Sequence, residues 1–196
     1  MNAIFRWKTK LLLMFALTAL AVASGCTTQN KISDVTTTTG KPVVTANSAG
    51  ERTLTRGTAI GNIAPDFQLA RTDGSTVKSD DLRGQPAVLV FWTAWCPSCK
   101  EEAPHVNELA AKFGPRGVRV LGINIQDSPA RLAGGVKEFG IKYGVASDAD
   151  AAVARRFKVV GTPTIVFLDE QGIVRYFGNE LPEDYAAQLD ALLAKA

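Results

Sequence analysis

Cys96 and Cys99 lie three residues apart in the stretch Phe91-Trp92-Thr93-Ala94-Trp95-Cys96-Pro97-Ser98-Cys99-Lys100, where an apolar run stops and charge begins. The 196-residue chain has one further cysteine, Cys26, so placing the other two together asks for a chemical reason. If a helix starts near Pro97, Cys96 occupies its N-cap and Cys99 lies one turn in on the same side. Free backbone N–H groups and the positive end of the helix dipole favour an anion there, which stabilises the Cys96 thiolate, the attacking species. Cys99 is then within reach of Cys96, and the pair can alternate between dithiol and disulfide. Pro97 suits the first helical position, because its missing N–H would have had no intrahelical partner. Ser98 is small and polar and is expected to leave the pair accessible.

Blander readings compete. A structural disulfide closing so short a loop constrains the unfolded chain little, and small stapled secreted folds use more bridges. A zinc site needs four ligands, and the only set available is Cys96, Cys99, His105 and Cys26. His105, the sole histidine, follows Cys99 by six positions and is directed away on the helix, so no metal is expected. Chance spacing is the third alternative.

The elements that must hold the pair can be read from periodicity. Ala87 to Thr93 is a continuous apolar run of strand length, as expected for a strand covered on both faces. Pro97 to Lys112 reads as a helix with Val106, Leu109, Ala110 and Phe113 on one stripe, ended by Phe-Gly-Pro. Val118 to Ile125 reads as a second buried strand, and Arg131 to Phe139 as a helix weakened by Gly134 and Gly135. Asp150 to Phe157 reads as a short helix, Thr164 to Asp169 as a strand, Gly172 to Gly178 as its hairpin partner, and Pro182 to Ala194 as a closing amphipathic helix. Upstream, Phe67 to Leu82 holds two alternating stretches around Asp73-Gly74, the signal of an N-terminal β-hairpin. Strands alternating with helices imply crossover units, hence an α/β fold with a central mixed, mostly parallel sheet flanked by helices.

A composition of 46% hydrophobic and 21% charged residues is that of a globular protein. The net charge of +3 is carried by Arg6, Lys8 and Lys10; from residue 26 onward 19 basic residues balance 19 acidic ones. That balance gives no basic face for nucleic acid. The basic start, the apolar run Leu11 to Ala23 and the subsequent Ala-Ser-Gly-Cys are laid out as a secretory signal, too short to span a bilayer, which takes roughly 20 residues. The last four residues also resemble a bacterial lipobox, although Ala23 stands where that pattern prefers Leu. The expected organisation is a lipoprotein-type signal at 1–25, a tether anchored by lipid on Cys26 at 26–61, and a folded domain at 62–196. A plain cleaved signal and an uncleaved anchor are the alternatives. The tether is rich in Thr, Ser, Asn and Gly and buries too little to offset its ordering entropy.

Phe91 to Cys99, at an expected strand-to-helix junction, resembles the active site of the thioredoxin superfamily, and the resemblance covers about Ala64 to Ala196. Pro104 is similar to the helix-kinking proline of that family, and Val159-Val160-Gly161-Thr162-Pro163-Thr164 to its loop with a cis-proline facing the redox pair. The opening Ala-Pro-Asp-Phe-Gln-Leu-Ala-Arg-Thr-Asp-Gly from Ala64, with the lipobox, is most similar to the membrane-anchored TlpA-like and ResA-like thiol–disulfide oxidoreductases. The resemblance implies a thioredoxin-like fold, a cis Thr162–Pro163 bond, and a substrate strand paired to the Thr162 backbone. Trp95 and Pro97 would shape the docking surface, though simple packing explains Trp95 as well. Where thioredoxins proper carry a buried Asp six positions before the first cysteine, this chain has Val90. ResA-like members have an acidic residue at the position of Glu102, which the resemblance implicates in taking the Cys99 proton; a solvated helix carboxylate is the other reading.

The implied reaction is thiol–disulfide exchange without a cofactor. It would reduce disulfides of exported proteins, apocytochromes c of cytochrome c biogenesis among them, with electrons from a membrane thiol donor and the domain on the periplasmic side of a diderm envelope. Two other classes are a thiol peroxidase and a copper-delivery module. Thr93-x-x-Cys96 is similar to part of the peroxiredoxin site, whose further proline and activating arginine are not evident. A non-enzymatic copper-delivery module would need longer cysteine spacing and a histidine beyond His105.

Overall fold

The computed structural model describes residues 55–196. Cys26, the expected signal at 1–25 and most of the expected tether lie outside the described residues. Among the described residues seven strands form one sheet: β1 (Gln68–Arg71), β2 (Thr76–Lys78), β3 (Ala87–Trp92), β4 (Arg119–Ile125), β5 (Gly144–Asp148), β6 (Thr164–Leu168) and β7 (Val174–Gly178). The helices are α1 (Pro97–Phe113), α2 (Pro129–Glu138), α3 (Ala152–Arg156) and α4 (Tyr185–Leu193). Across the sheet the order is β2-β1-β5-β4-β3-β6-β7.

β3 is buried at every position because both of its faces are covered. Leu89 and Phe91 join one core with Leu69, Ile123 and Phe157. Val88 and Val90 join the other with Val106, Leu109 and Phe113 of α1, Phe167 and Leu189 of α4. The period-two alternation of a strand thus feeds two cores from one apolar run. A third, smaller cluster of Trp92, Cys96, Cys99, Ala103, Leu132, Phe139 and Val145 packs at the end where β3 meets α1.

The expectation of a mostly parallel sheet is corrected. Only β3–β4 and β4–β5 pair in parallel. The β1–β2, β1–β5, β3–β6 and β6–β7 pairs are antiparallel. A parallel pair needs a connection that returns along the full length of the strand. Helices α1 and α2 supply two such returns. After β5 there is only the five-residue α3, and β6 begins beside the end of β3, with Thr164 opposite Phe91. The chain from Ala149 to Pro163 therefore stays at one end of the sheet, and β6 must run back antiparallel.

β5 went unseen in the sequence. It is short, begins with Gly144 and ends in Ser147 and Asp148, so no apolar run marks it. Asp148 is nonetheless buried, 1% exposed. Its Oδ1 accepts from Val153 N–H (3.1 Å) and Oδ2 from Ala154 N–H (2.8 Å), satisfying the first turn of α3.

The folded part also begins before the expected boundary at Asn62. Arg56 pairs with Asp66 at 2.5 Å, Gly57 N–H donates to Ile63 O at 2.9 Å, and Gly61 N–H to Val174 O at 2.8 Å. Composition hid this because the contacts are backbone hydrogen bonds and an exposed ion pair, with no apolar run to mark them.

Phe157 is fully buried and meets Phe91 at 5.1 Å and Phe67 at 6.2 Å between ring centroids. Truncation to alanine removes the ring and leaves a cavity beneath β3. Phe157→Ala is expected to destabilise the fold by about 3–5 kcal/mol, read as a lowered urea midpoint with little change in slope.

Candidate active site

β3 ends at Trp92, and Thr93 to Trp95 carry the chain to Cys96, the N-cap of α1. Cys96 has an extended backbone, φ −89° and ψ 113°, with Pro97 at the first helical position, as expected. Cys99 N–H donates to Cys96 Sγ at 3.2 Å. The two sulfurs form a disulfide with Cα atoms 5.3 Å apart, inside the ordinary range for such a bond.

The pair is far less open than the small Ser98 suggested. Cys96 and Cys99 are each only 4% exposed. Their surroundings nonetheless differ. Cys96 lines a surface groove of about 290 Å³ with Ala94, Trp95, Pro97, Lys100, Glu138 and Phe139. Cys99 lines an inner cavity of about 10 Å³ with Val90, Glu102, Tyr143 and Pro163 among others. One sulfur thus borders the outside and the other the interior. Trp95, 68% exposed, stands at the wall of the groove that Cys96 lines. Lys100 and Glu138, 2.9 Å apart, join α1 to α2 across the groove.

The Thr162–Pro163 bond is cis. It brings the Thr162 carbonyl oxygen to 3.3 Å from Cys96 Sγ. Ser98 Oγ lies 3.4 Å from both that oxygen and that sulfur. Pro163 itself is buried against the inner cavity. The loop is pinned from just past β7, where Asn179 Nδ2 donates to Pro163 O at 2.9 Å, while Thr164 Oγ1 donates to Gly161 O at 2.7 Å. Val160, 98% exposed, projects from the same loop.

Asp127 was missed in the sequence, where the helix was expected only from Arg131. It is 4% exposed. Its Oδ2 accepts from Ala94 N–H at 2.7 Å and from Asn124 Nδ2 at 2.9 Å. This holds the segment that delivers Cys96. The same segment is pressed from α2 by Gly135, where a Cβ would come within 2.6 Å of Ala94 Cβ, so the glycine that weakened the helical pattern is what admits the close approach. A signal did exist: Asn124 interrupts an otherwise apolar strand, and a polar group in such a place must find partners.

Glu102 lies on α1 with its side chain 15% exposed. Oε1 accepts from Leu181 N–H at 3.0 Å, and Oε2 lies 3.6 Å from His105 Nδ1. His105 thus faces Glu102 rather than the cysteines. Burial, and secondarily the negative charge of Glu102, push the Tyr143 phenol above its ordinary value of 10.0. Burial raises Tyr176 too, helped by Glu180, Glu102 and Asp184.

A mixed sheet with this helix order, a disulfide at the strand-to-helix corner and a cis Thr162–Pro163 bond whose Thr162 carbonyl faces Cys96 define the thioredoxin-like class of proteins. The sequence matches the AhpC/TSA family over residues 60–177. The chain belongs to that family, within its ResA-like and TlpA-like branch of the thioredoxin superfamily. It is 30% identical to the thiol-disulfide oxidoreductase ResA of Bacillus anthracis over 138 residues, 69% of this chain and 78% of that one. With ResA of Bacillus thuringiensis subsp. konkukian it shares 30% identity over 115 residues, 59% of this chain and 66% of that relative's length. A secreted Mycobacterium tuberculosis disulfide oxidoreductase homologous to E. coli DsbE superposes with a TM-score of 0.56 at 28% identity, covering 66% of this chain and 96% of that one.

Because the folded-state value of Tyr143 is raised, its phenol stays protonated where the unfolded chain ionises. The contribution to stability is therefore full below pH 10.0 and is lost as pH rises beyond it. Tyr143→Phe is expected to flatten the alkaline loss of stability relative to the parent, measured by urea unfolding on both sides of that value.

Proposed function

We propose that this protein reduces disulfides of exported proteins, attacking through Cys96 and resolving through Cys99. The observation that carries the reading is the asymmetry of the pair: Cys96 borders the open groove and Cys99 the inner cavity. In the reduced protein the Cys96 thiolate, at the N-cap of α1, attacks one sulfur of a substrate disulfide and releases the other as a thiolate. Cys99 then attacks Cys96 Sγ, the mixed disulfide breaks, and the second substrate sulfur leaves. Two electrons pass to the substrate, and the Cys96–Cys99 disulfide forms. A membrane thiol donor restores the dithiol by the reverse exchange.

Substrate binding through the Thr162 backbone, beside Trp95 and Pro97, suits a partner whose sequence varies. Glu102, which shares the inner cavity with Cys99, serves as acceptor of the Cys99 proton. Lipid on Cys26 and a tether would hold the domain at the outer side of a bacterial membrane, periplasmic in a diderm, with apocytochromes c as one substrate class. Among the described residues no helix is long and apolar enough to cross a membrane.

A peroxidase reading draws on Thr93. Its hydroxyl is buried without a hydrogen-bond partner, and no arginine lines the groove beside Cys96. The arrangement supports exchange over peroxide reduction.

Cys96→Ser is expected to abolish turnover of a disulfide-containing protein, and Cys99→Ser to accumulate mixed disulfides on non-reducing gels. Full turnover by Cys96→Ser would defeat the mechanism. For direction, equilibration with glutathione is expected to give a potential at or below about −200 mV, whereas a value near about −120 mV would mark an oxidant.

A further inference from the structure

Glu102 belongs to two spaces at once. It lines the inner cavity with Cys99, and it lines an outer groove of about 290 Å³ with His105, Glu108, Glu180, Leu181, Pro182, Glu183 and Tyr185. The inner cavity is closed over by Val90, Val106, Phe139 and Ile141, apolar walls that offer a proton no acceptor. At about 10 Å³ it is near the least volume that admits one water. A proton leaving Cys99 into that cavity therefore has Glu102 as its carboxylate exit. On the far side of the carboxylate stands His105, Nδ1 at 3.6 Å from Oε2, its side chain 67% exposed against 15% for Glu102.

We propose that His105 is the outer station of a proton relay, passing the Cys99 proton from Glu102 to solvent. The proposal rests on Glu102 being the acceptor in the exchange reaction. As Cys99 attacks Cys96 of the mixed disulfide, its S–H proton moves to Glu102, directly or through one water. The Cys99–Cys96 bond forms and the substrate sulfur leaves with the electron pair of the bond that breaks. The glutamic acid so formed hands its proton to His105 Nδ1, and the imidazolium releases a proton to water. Glu102 is again a carboxylate, and one proton has left per disulfide formed. In re-reduction the same path runs inward and protonates Cys99 as the donor breaks the disulfide.

Histidine is suited to the outer position because its ring nitrogen can accept a proton and release it to water. The remaining polar groups set the path's limits. Glu108 comes from α1, Glu180 and Glu183 from the segment between β7 and α4, and Tyr185 from α4. Tyr143 faces Glu102 from the start of β5 and feels its charge, as does Tyr176 of β7. Lysine and arginine are absent from the lining of both spaces. Lys100, the nearest lysine along α1, is paired with Glu138 on the other side of the site. Both tyrosines are held in the protonated form by burial, so neither competes as an acceptor. His105 is then the one group in the outer groove that can take a proton and become a cation.

The test is the rate of the Cys99-dependent step in the full chain, followed in a single turnover with a disulfide-containing protein between about pH 5 and 8. His105→Ala is expected to slow that step about tenfold, less than the 10²–10⁴ typical of a directly acting acid or base, and to lose its pH dependence over this range. Added imidazole is expected to restore the rate, since the outer groove is open. Formation of the mixed disulfide by Cys96 should be unchanged. A parent-like profile in His105→Ala, or no rescue by imidazole, overturns the relay. Glu102→Gln separates the two levels. If it flattens the profile while His105→Ala does not, the acceptor stands and the relay falls. If Glu102→Gln leaves the profile unchanged, the acceptor reading falls and the relay with it.

Discussion

The chain between β5 and β6 never leaves the end of the sheet at which β3 hands over to α1, and the chemistry of the site depends on that confinement. α3 has only five residues, too few to carry the backbone back along a strand. The loop after it must arrive where β3 stops. The Thr162 carbonyl consequently lies 3.3 Å from Cys96 Sγ, although 66 residues separate them. A longer return would have made β6 parallel and put this loop at the opposite edge of the sheet, away from both sulfurs.

Confinement alone would leave the corner slack, and the buried polar contacts remove the slack. Asp127 takes the Ala94 N–H from one side while Gly135 presses Ala94 from the other. Burying a carboxylate is costly unless its oxygens are bonded. Here Oδ2 has two donors, but Oδ1 has no hydrogen bond and only Arg131 Nε at 4.0 Å. A carboxylate held on such terms contributes more to the geometry of the corner than to overall stability. Asn179 plays the corresponding part for the cis-proline loop.

How much of this could be read from the chain depended on how local each signal was. β3 and α1 declare themselves through patterns that span their own length, and Cys96 at the N-cap could be inferred from Pro97 and the end of the apolar run. The direction of β6 leaves no such mark, since Thr-Ile-Val-Phe-Leu reads alike in a parallel or an antiparallel pairing. β5 was hidden because its last residue is an aspartate whose partners, Val153 and Ala154, lie five and six positions on. Asp127 acquires its meaning from a contact 33 residues away, a distance at which one sequence has no periodicity to offer. Glu102 was found only through family resemblance, and its place between two cavities was legible from neither.

The near-complete burial of both cysteines bears on how exchange proceeds. At 4% exposure, Cys96 meets the outside along the groove it lines. Attack on a disulfide requires the three sulfurs to line up, so under the proposed exchange a substrate cysteine would enter along the groove that Cys96 lines. Under that proposal selection would act before chemistry: a disulfide buried in a folded partner would not be presented this way, while one in an extended segment would. Cys99, behind Cys96, meets no outside sulfur at all, and its bond to Cys96 is the one exchange its position allows. The division of labour between two chemically identical side chains is thus set by which cavity each one faces.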